Sequence, residues 1–169
     1  MIKKIVCFDF DGTLIDTPGP EIGRVEWENK TGLSWAGRGW WGNPESLNLD
    51  IFYIPYNQWV YNQYLKYVND PECHVFLATG RLKRLEKLVV DILNFHDIKF
   101  PGGVYCNTGG ETFDFKTRLF ESKIKEFKTA EEFIMFDDRW EHLKKFVDWA
   151  KNQPIDVTIV DVINKKELK

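Results

Sequence analysis

Asp9 and Asp11 stand two residues apart in Asp9-Phe10-Asp11-Gly12-Thr13-Leu14, directly after the apolar run Ile2 to Phe8. Two carboxylates spaced this way past a strand can share a divalent cation and face one phosphate. One can attack phosphorus, which splits a difficult displacement into two easier ones. The other, offset by one residue, can protonate the leaving alcohol and later deprotonate water. Mg²⁺ suits the pair: it takes hard oxygen ligands and offsets the repulsion between an anionic nucleophile and an anionic substrate. Gly12 lets the backbone turn tightly away, and Thr13 can hydrogen-bond the carboxylates. An Asp-Gly turn after a strand is ordinary by itself, so the reading depends on residues farther along the chain.

Three later segments supply the remaining groups. His74 to Ala78 is a second apolar run, ending in Thr79-Gly80-Arg81 and followed by helical spacing through Leu82, Leu85, Leu88, Val89, Ile92 and Leu93. A hydroxyl and free N–H groups at a helix N-terminus form an anion site, which marks Thr79, Gly80 and Arg81 as phosphate contacts. Phe133 to Phe136 ends in Asp137-Asp138-Arg139, bringing new carboxylates to another strand end. Between these two, Lys116 opens a helical stretch through Leu119, Ile124 and Phe127 and can place an ammonium on the phosphate. Each segment alone reads as a helix cap, a surface lysine or an acidic turn. Their order and their placement after strands make one site of them.

The elements that must carry these residues alternate. Strands are expected near residues 3–8, 73–78, 103–106, 133–137 and 155–161, and helices near 57–69, 81–95, 117–128 and 139–151. That pattern predicts a doubly wound, Rossmann-like α/β fold on a parallel sheet of about five strands. Ligands in such sheets lie outside the carboxyl ends of the strands, where Asp9 falls. Residues 17–56 do not fit the pattern. They hold Pro18, Pro20, Pro44 and Pro55 with Trp27, Trp35, Trp40 and Trp41, and exceed what a crossover needs, so they read as a small Trp-rich insertion beside the site. The Gly-flanked pair Trp40 and Trp41 is the candidate for substrate contact, against the alternative that both pack the insertion onto the core. A small aromatic flap would admit the end of a polymer and let bases stack.

Composition bounds the class. With 169 residues, 43% of them hydrophobic, the chain is read as one domain over residues 1–169 with the insertion included. Cys7, Cys73 and Cys106 have no metal-ligand spacing and read as reduced thiols of a cytoplasmic protein. Asp9 cuts short the apolar stretch that would imitate a signal peptide, and no run approaches membrane-spanning length. The net charge is −3, yet residues 79–87 hold four basic residues against Glu86, and residues 116–128 hold five against Glu121 and Glu126. A basic rim in an acidic protein suits a phosphorylated polyanion, although such helices are often just solvated faces. No P-loop is present, so any kinase or ligase step would need a partner. Residues 164–169 read as a frayed polar tail; oligomeric state is not legible.

This set of residues resembles the haloacid dehalogenase superfamily of phosphohydrolases over most of the chain. The resemblance implies Asp9 as nucleophile, Asp11 as general acid/base, Thr79 as phosphate ligand and Lys116 as the lysine of the third motif, with Lys123 and Lys125 close by. It also implies a Mg²⁺ site on Asp9, Asp11 and the pair Asp137 and Asp138, with Asp138 the direct ligand and Asp137 its support. The strand order would be 5-4-1-2-3, with the insertion where the family carries its first type of cap. Thr-Gly-Arg with Phe-Asp-Asp-Arg is similar to the phosphatase half of phage polynucleotide kinase–phosphatases. Gly39-Trp40-Trp41-Gly42-Asn43-Pro44, Phe115-Lys116 and Asp138-Arg139-Trp140-Glu141-His142 are similar to the Swiss Army Knife RNA repair-like branch. Both imply phosphorylated DNA or RNA ends as substrate, with a 3′-phosphate leading. The alternatives are a small-molecule phosphatase such as a nucleotidase, and a nucleic-acid-binding module without turnover.

Overall fold

The computed structural model describes residues 1–37 and 39–168. Among these, six strands form one sheet in the order β3-β2-β1-β4-β5-β6. The first five are parallel: β1 (Lys4–Phe8), β2 (Cys73–Leu82), β3 (Val104–Asn107), β4 (Glu132–Asp137) and β5 (Asp156–Asp161). Their order is the expected one, and β1 lies in the middle. The sixth, β6 (Lys166–Leu168), pairs antiparallel with β5. It corrects the expectation of a frayed tail: the backbone polar groups of the β5 edge find partners in Lys166–Leu168.

Strict alternation along the buried strands sends their side chains to two faces. Val6, Phe8, Val75, Leu77, Ile134 and Phe136 pack on one face with α2 (Gln58–Val68), α3 (Glu86–Phe95) and the insertion. Ile5, Cys7, Phe76, Phe133 and Met135 pack on the other with α4 (Thr112–Glu126) and α5 (Trp140–Ala150). A sheet covered on both sides is why its strands read as continuous apolar runs.

The insertion has internal order that periodicity did not reveal. Its first part is α1 (Pro20–Thr31), which has Pro at its start and Gly32 in the left-handed conformation at its end. Only Gly23 and Trp27 of this helix are buried, so no amphipathic stripe marks it. Trp27 meets Trp35 edge to face at 5.3 Å, Trp35 lies 4.8 Å from Trp40, and Trp40 packs on Phe52. Gly23 is required at that contact, because a Cβ there would fall 2.2 Å from the Trp40 ring. The two ends of the insertion are sutured at its root. Asp16 N–H donates to Pro55 O at 2.8 Å and Asn57 N–H to Leu14 O at 2.9 Å.

Candidate active site

The registers bring three strand ends level. Phe8 pairs with Leu77 on one side and Phe136 on the other, so Asp9, Ala78 to Arg81, and Asp137 with Asp138 emerge together. Lys116 reaches them from the second turn of α4, which starts at Thr112 rather than at Lys116 as expected. Its side chain is 2% exposed, and its ammonium donates to Asp9 Oδ1 and Asp137 Oδ2, both at 2.7 Å. Lys123 instead pairs with Glu126. Burial disfavours the charged form of Lys116, but Asp137 and Asp9 more than reverse this and hold it charged.

Both oxygens of Asp137 are engaged. Oδ2 takes Lys116, and Oδ1 accepts from Arg139 N–H at 3.0 Å. Asp138 is less buried, and its Oδ1 lies 3.1 Å from Thr13 Oγ, which is also 3.3 Å from Asp9 Oδ2. Burial raises the Asp9 carboxyl above the usual range, Lys116 opposes this, and Asp137 and Asp138 add to it. Asp138 is raised to about 6, by burial and then by Asp137. Carboxyl oxygens of Asp9, Asp137 and Asp138 lie within 4.8 Å of one another. A cluster held this tightly, with two members disfavouring charge, suits a divalent cation taking oxygen ligands. Gly12 closes it from the chain side: its φ is +68°, and a Cβ there would lie 2.5 Å from Asp138 Oδ2.

Asp11 is placed apart from that cluster. Its carboxylate meets the Arg81 guanidinium, with Nε 3.0 Å from both oxygens and Nη2 2.7 Å from Oδ1. Thr17 Oγ also donates to Oδ1, at 2.7 Å. Asp9, Asp11, Gly12, Thr17, Trp41, Gly80, Arg81, Thr112, Lys116, Asp138 and Arg139 line one cavity of about 420 Å³. Thr17, Thr112 and Arg139 are the members that sequence reasoning did not select. Arg139 was in view within Asp137-Asp138-Arg139, whereas Thr17 and Thr112 carry no motif signal.

Several expectations change. The chain does not enter a helix at Arg81: β2 continues to Leu82, which pairs with Asn107 across a register shift, and α3 begins only at Glu86. The helix N-terminus expected at Thr79-Gly80-Arg81 therefore lies farther along, after a short 3₁₀ turn at Lys83–Leu85, while Gly80 and Arg81 still line the cavity. Thr79 is fully buried, its Oγ accepting from Arg81 N–H at 3.1 Å. Gly80 fits because a Cβ there would meet Thr112 Oγ at 2.7 Å. Arg81 is buried, and its guanidinium holds Asp11, Ser46 Oγ and Trp41 O at the cavity wall. The tryptophan pair divides: Trp40 is core, its indole N–H on Pro18 O, while Trp41 is half exposed and lines the cavity. In the basic segment after β2, Lys83 pairs with Glu86 and Lys87 with Asp91, while Arg84 donates to Gly42 O. No helix among the described residues is long and apolar enough to cross a membrane.

Comparison with known proteins gives two matches and one absence. The model of a family described as HAD domain family 1 in Swiss Army Knife RNA repair proteins matches residues 29–168, beginning after Asp9 and Asp11. In fold, the chain is similar to a chain in the structure of the Pnkp1/Rnl/Hen1 RNA repair complex, with a TM-score of 0.60 at 17% identity. That match covers 94% of this chain and 42% of the other, so this chain spans less than half the length of its structural neighbour. No curated protein matches significantly.

Proposed function

Because this chain belongs to HAD domain family 1 of Swiss Army Knife RNA repair proteins, we propose that it is a Mg²⁺-dependent phosphomonoesterase acting on phosphorylated polynucleotide ends, a 3′-phosphate first among them. The observation that carries the reading is the convergence of Asp9, Asp138 and the buried Lys116 ammonium beside Asp11 in one cavity. An RNA-repair context also fits the structural neighbour, whose complex carries that description.

The Asp9 carboxylate attacks phosphorus as the bond to the leaving alcohol breaks, and Asp11 gives that alcohol its proton. Asp11 then takes a proton from water, which attacks the phosphorus of the aspartyl-phosphate, frees phosphate and restores Asp9. Lys116 keeps Asp9 oriented and counters charge accumulating on the phosphoryl oxygens. Asp9 and Asp138 would hold Mg²⁺, with Asp137 anchoring Lys116 behind them; the cation supplies charge neutralisation for the anionic substrate. Trp41 offers a face on which the terminal base can stack.

A phosphate-release panel with Mg²⁺ tests this, comparing 3′-phosphate oligonucleotides, 5′-phosphate oligonucleotides, mononucleotides and sugar phosphates. The 3′-phosphate oligonucleotide is expected to have the highest kcat/KM. Preference for mononucleotides would make the protein a nucleotidase, and no release from any substrate would leave a binding module.

A further inference from the structure

We propose, resting on the phosphatase reading above, that Ser46 and Arg81 are positioning residues through which the insertion sets the orientation of the Asp11 carboxylate. Arg81 stands between the two. One edge of its guanidinium, Nε and Nη2, grips Asp11. The remaining nitrogen, Nη1, donates to Ser46 Oγ and to Trp41 O, both at 2.7 Å. Its central carbon lies 4.9 Å from the centre of the Trp41 ring. Arginine is a rigid planar fork, so fixing Nη1 fixes the plane in which Asp11 is held.

The wiring has one direction. Ser46 is fully buried in the short 3₁₀ turn Pro44–Leu47. Its hydroxyl donates to Asn43 O at 2.7 Å, so toward Arg81 it can only accept. Asn43 in turn caps this turn, its side chain accepting from Glu45 N–H. A buried Arg81 N–H is thus aimed at a lone pair whose own orientation is fixed by the insertion backbone. At the other end, Asp11 Oδ1 takes both Arg81 Nη2 and Thr17 Oγ, while Oδ2 takes only the shared Nε. Oδ2 is left as the oxygen with capacity to exchange a proton with the leaving group. The insertion therefore selects which oxygen of Asp11 works, in addition to bordering the cavity.

Ser46→Ala tests this by leaving-group dependence. Removing the hydroxyl leaves a buried N–H without its acceptor and frees the fork to tilt. kcat/KM for an alkyl phosphate, whose alkoxide needs a proton, is expected to fall about tenfold, with that for nitrophenyl phosphate within about twofold of wild type. A merely structural role would lower both together; equal loss on both, or loss on neither, overturns the proposal. A second measurement needs no turnover. If Asp11 and the insertion are held through Arg81, Asp11→Asn should speed amide hydrogen exchange in residues 41–47 by about tenfold, as a charged hydrogen-bond partner of Arg81 is lost. Unchanged exchange there overturns the coupling even if wild type hydrolyses none of the phosphates tried, a result that would itself remove only the phosphatase reading.

Discussion

The carboxylate cluster and the insertion are built in opposite ways. Asp9, Asp137 and Asp138 sit at the ends of adjacent parallel strands, tied by ladder hydrogen bonds, with Lys116 locked between two of them. The insertion packs its own tryptophans into a small aromatic core and reaches the site through few polar bonds, among them those of Thr17 to Asp11, of Arg81 to Ser46 and Trp41, and of Arg84 to Gly42. The proposed chemistry thus sits on strand ends tied into the sheet, and the proposed substrate contact, Trp41, on a part joined to it by separable links. The difference implies that the two can be damaged independently.

The largest effect should come from the sheet side. Asp9→Asn is expected to lower turnover of every substrate by more than about 10³-fold while the fold persists, because an amide keeps the shape but is a far poorer nucleophile. Circular dichroism and phosphate release check the two halves of that statement. Asp11→Asn divides substrates instead. kcat/KM should fall by roughly 10²-fold or more for alkyl phosphates and much less for nitrophenyl phosphate, whose leaving group needs no proton. Equal loss would assign Asp11 to geometry alone.

On the insertion side the effects are smaller and selective. Trp41→Ala should raise KM for a 3′-phosphate oligonucleotide about tenfold, since stacking a base is worth about 1–3 kcal/mol, and leave nitrophenyl phosphate unaffected. Trp40→Ala should instead lower the melting temperature, because Trp40 is core. If both variants behave alike, the division of the pair fails.

The smallest effect concerns charge in the cluster. Asp138 has a folded-state pKa above the ordinary carboxylate value, so the metal-free fold binds its extra proton and loses stability as pH rises toward about 6. Above that, the cost persists. Metal-free Asp138→Asn is therefore expected to melt a few degrees above wild type at pH 7, a difference of about 1–3 kcal/mol. Mg²⁺ should raise the wild-type melting temperature and fail to raise that of the variant. A calorimetric scan with and without the cation reads both.

The parallel sheet was legible because buried strands leave continuous apolar runs, three of which end in residues with chemistry; its strand order came from the family resemblance. Asp9, Asp11, Asp137 and Asp138 were visible for that reason, and Lys116 by its place on the helical stretch between two such runs. Three features were not. The strand through Arg81 looked helical because Leu82, Leu85 and Leu88 keep helical spacing, while the pairing that extends β2 is set by Asn107, far along the chain. Helix α1 turns most of its length to solvent and has no stripe to detect. Ser46 bears no motif, and its importance comes from a contact 35 residues away with a buried arginine whose expected partner was a phosphate.

The central claim is that Asp9 carries the phosphoryl group, and Asp11→Asn provides the means to catch it. With nitrophenyl phosphate the first step needs no acid, whereas the second has lost its base. Mixing enzyme and substrate rapidly should give a burst of about one nitrophenolate per chain followed by slow turnover. Acid quenching should then leave one phosphoryl group on the peptide containing Asp9. The absence of a burst, or a phosphoryl group found on any other residue, would contradict the account.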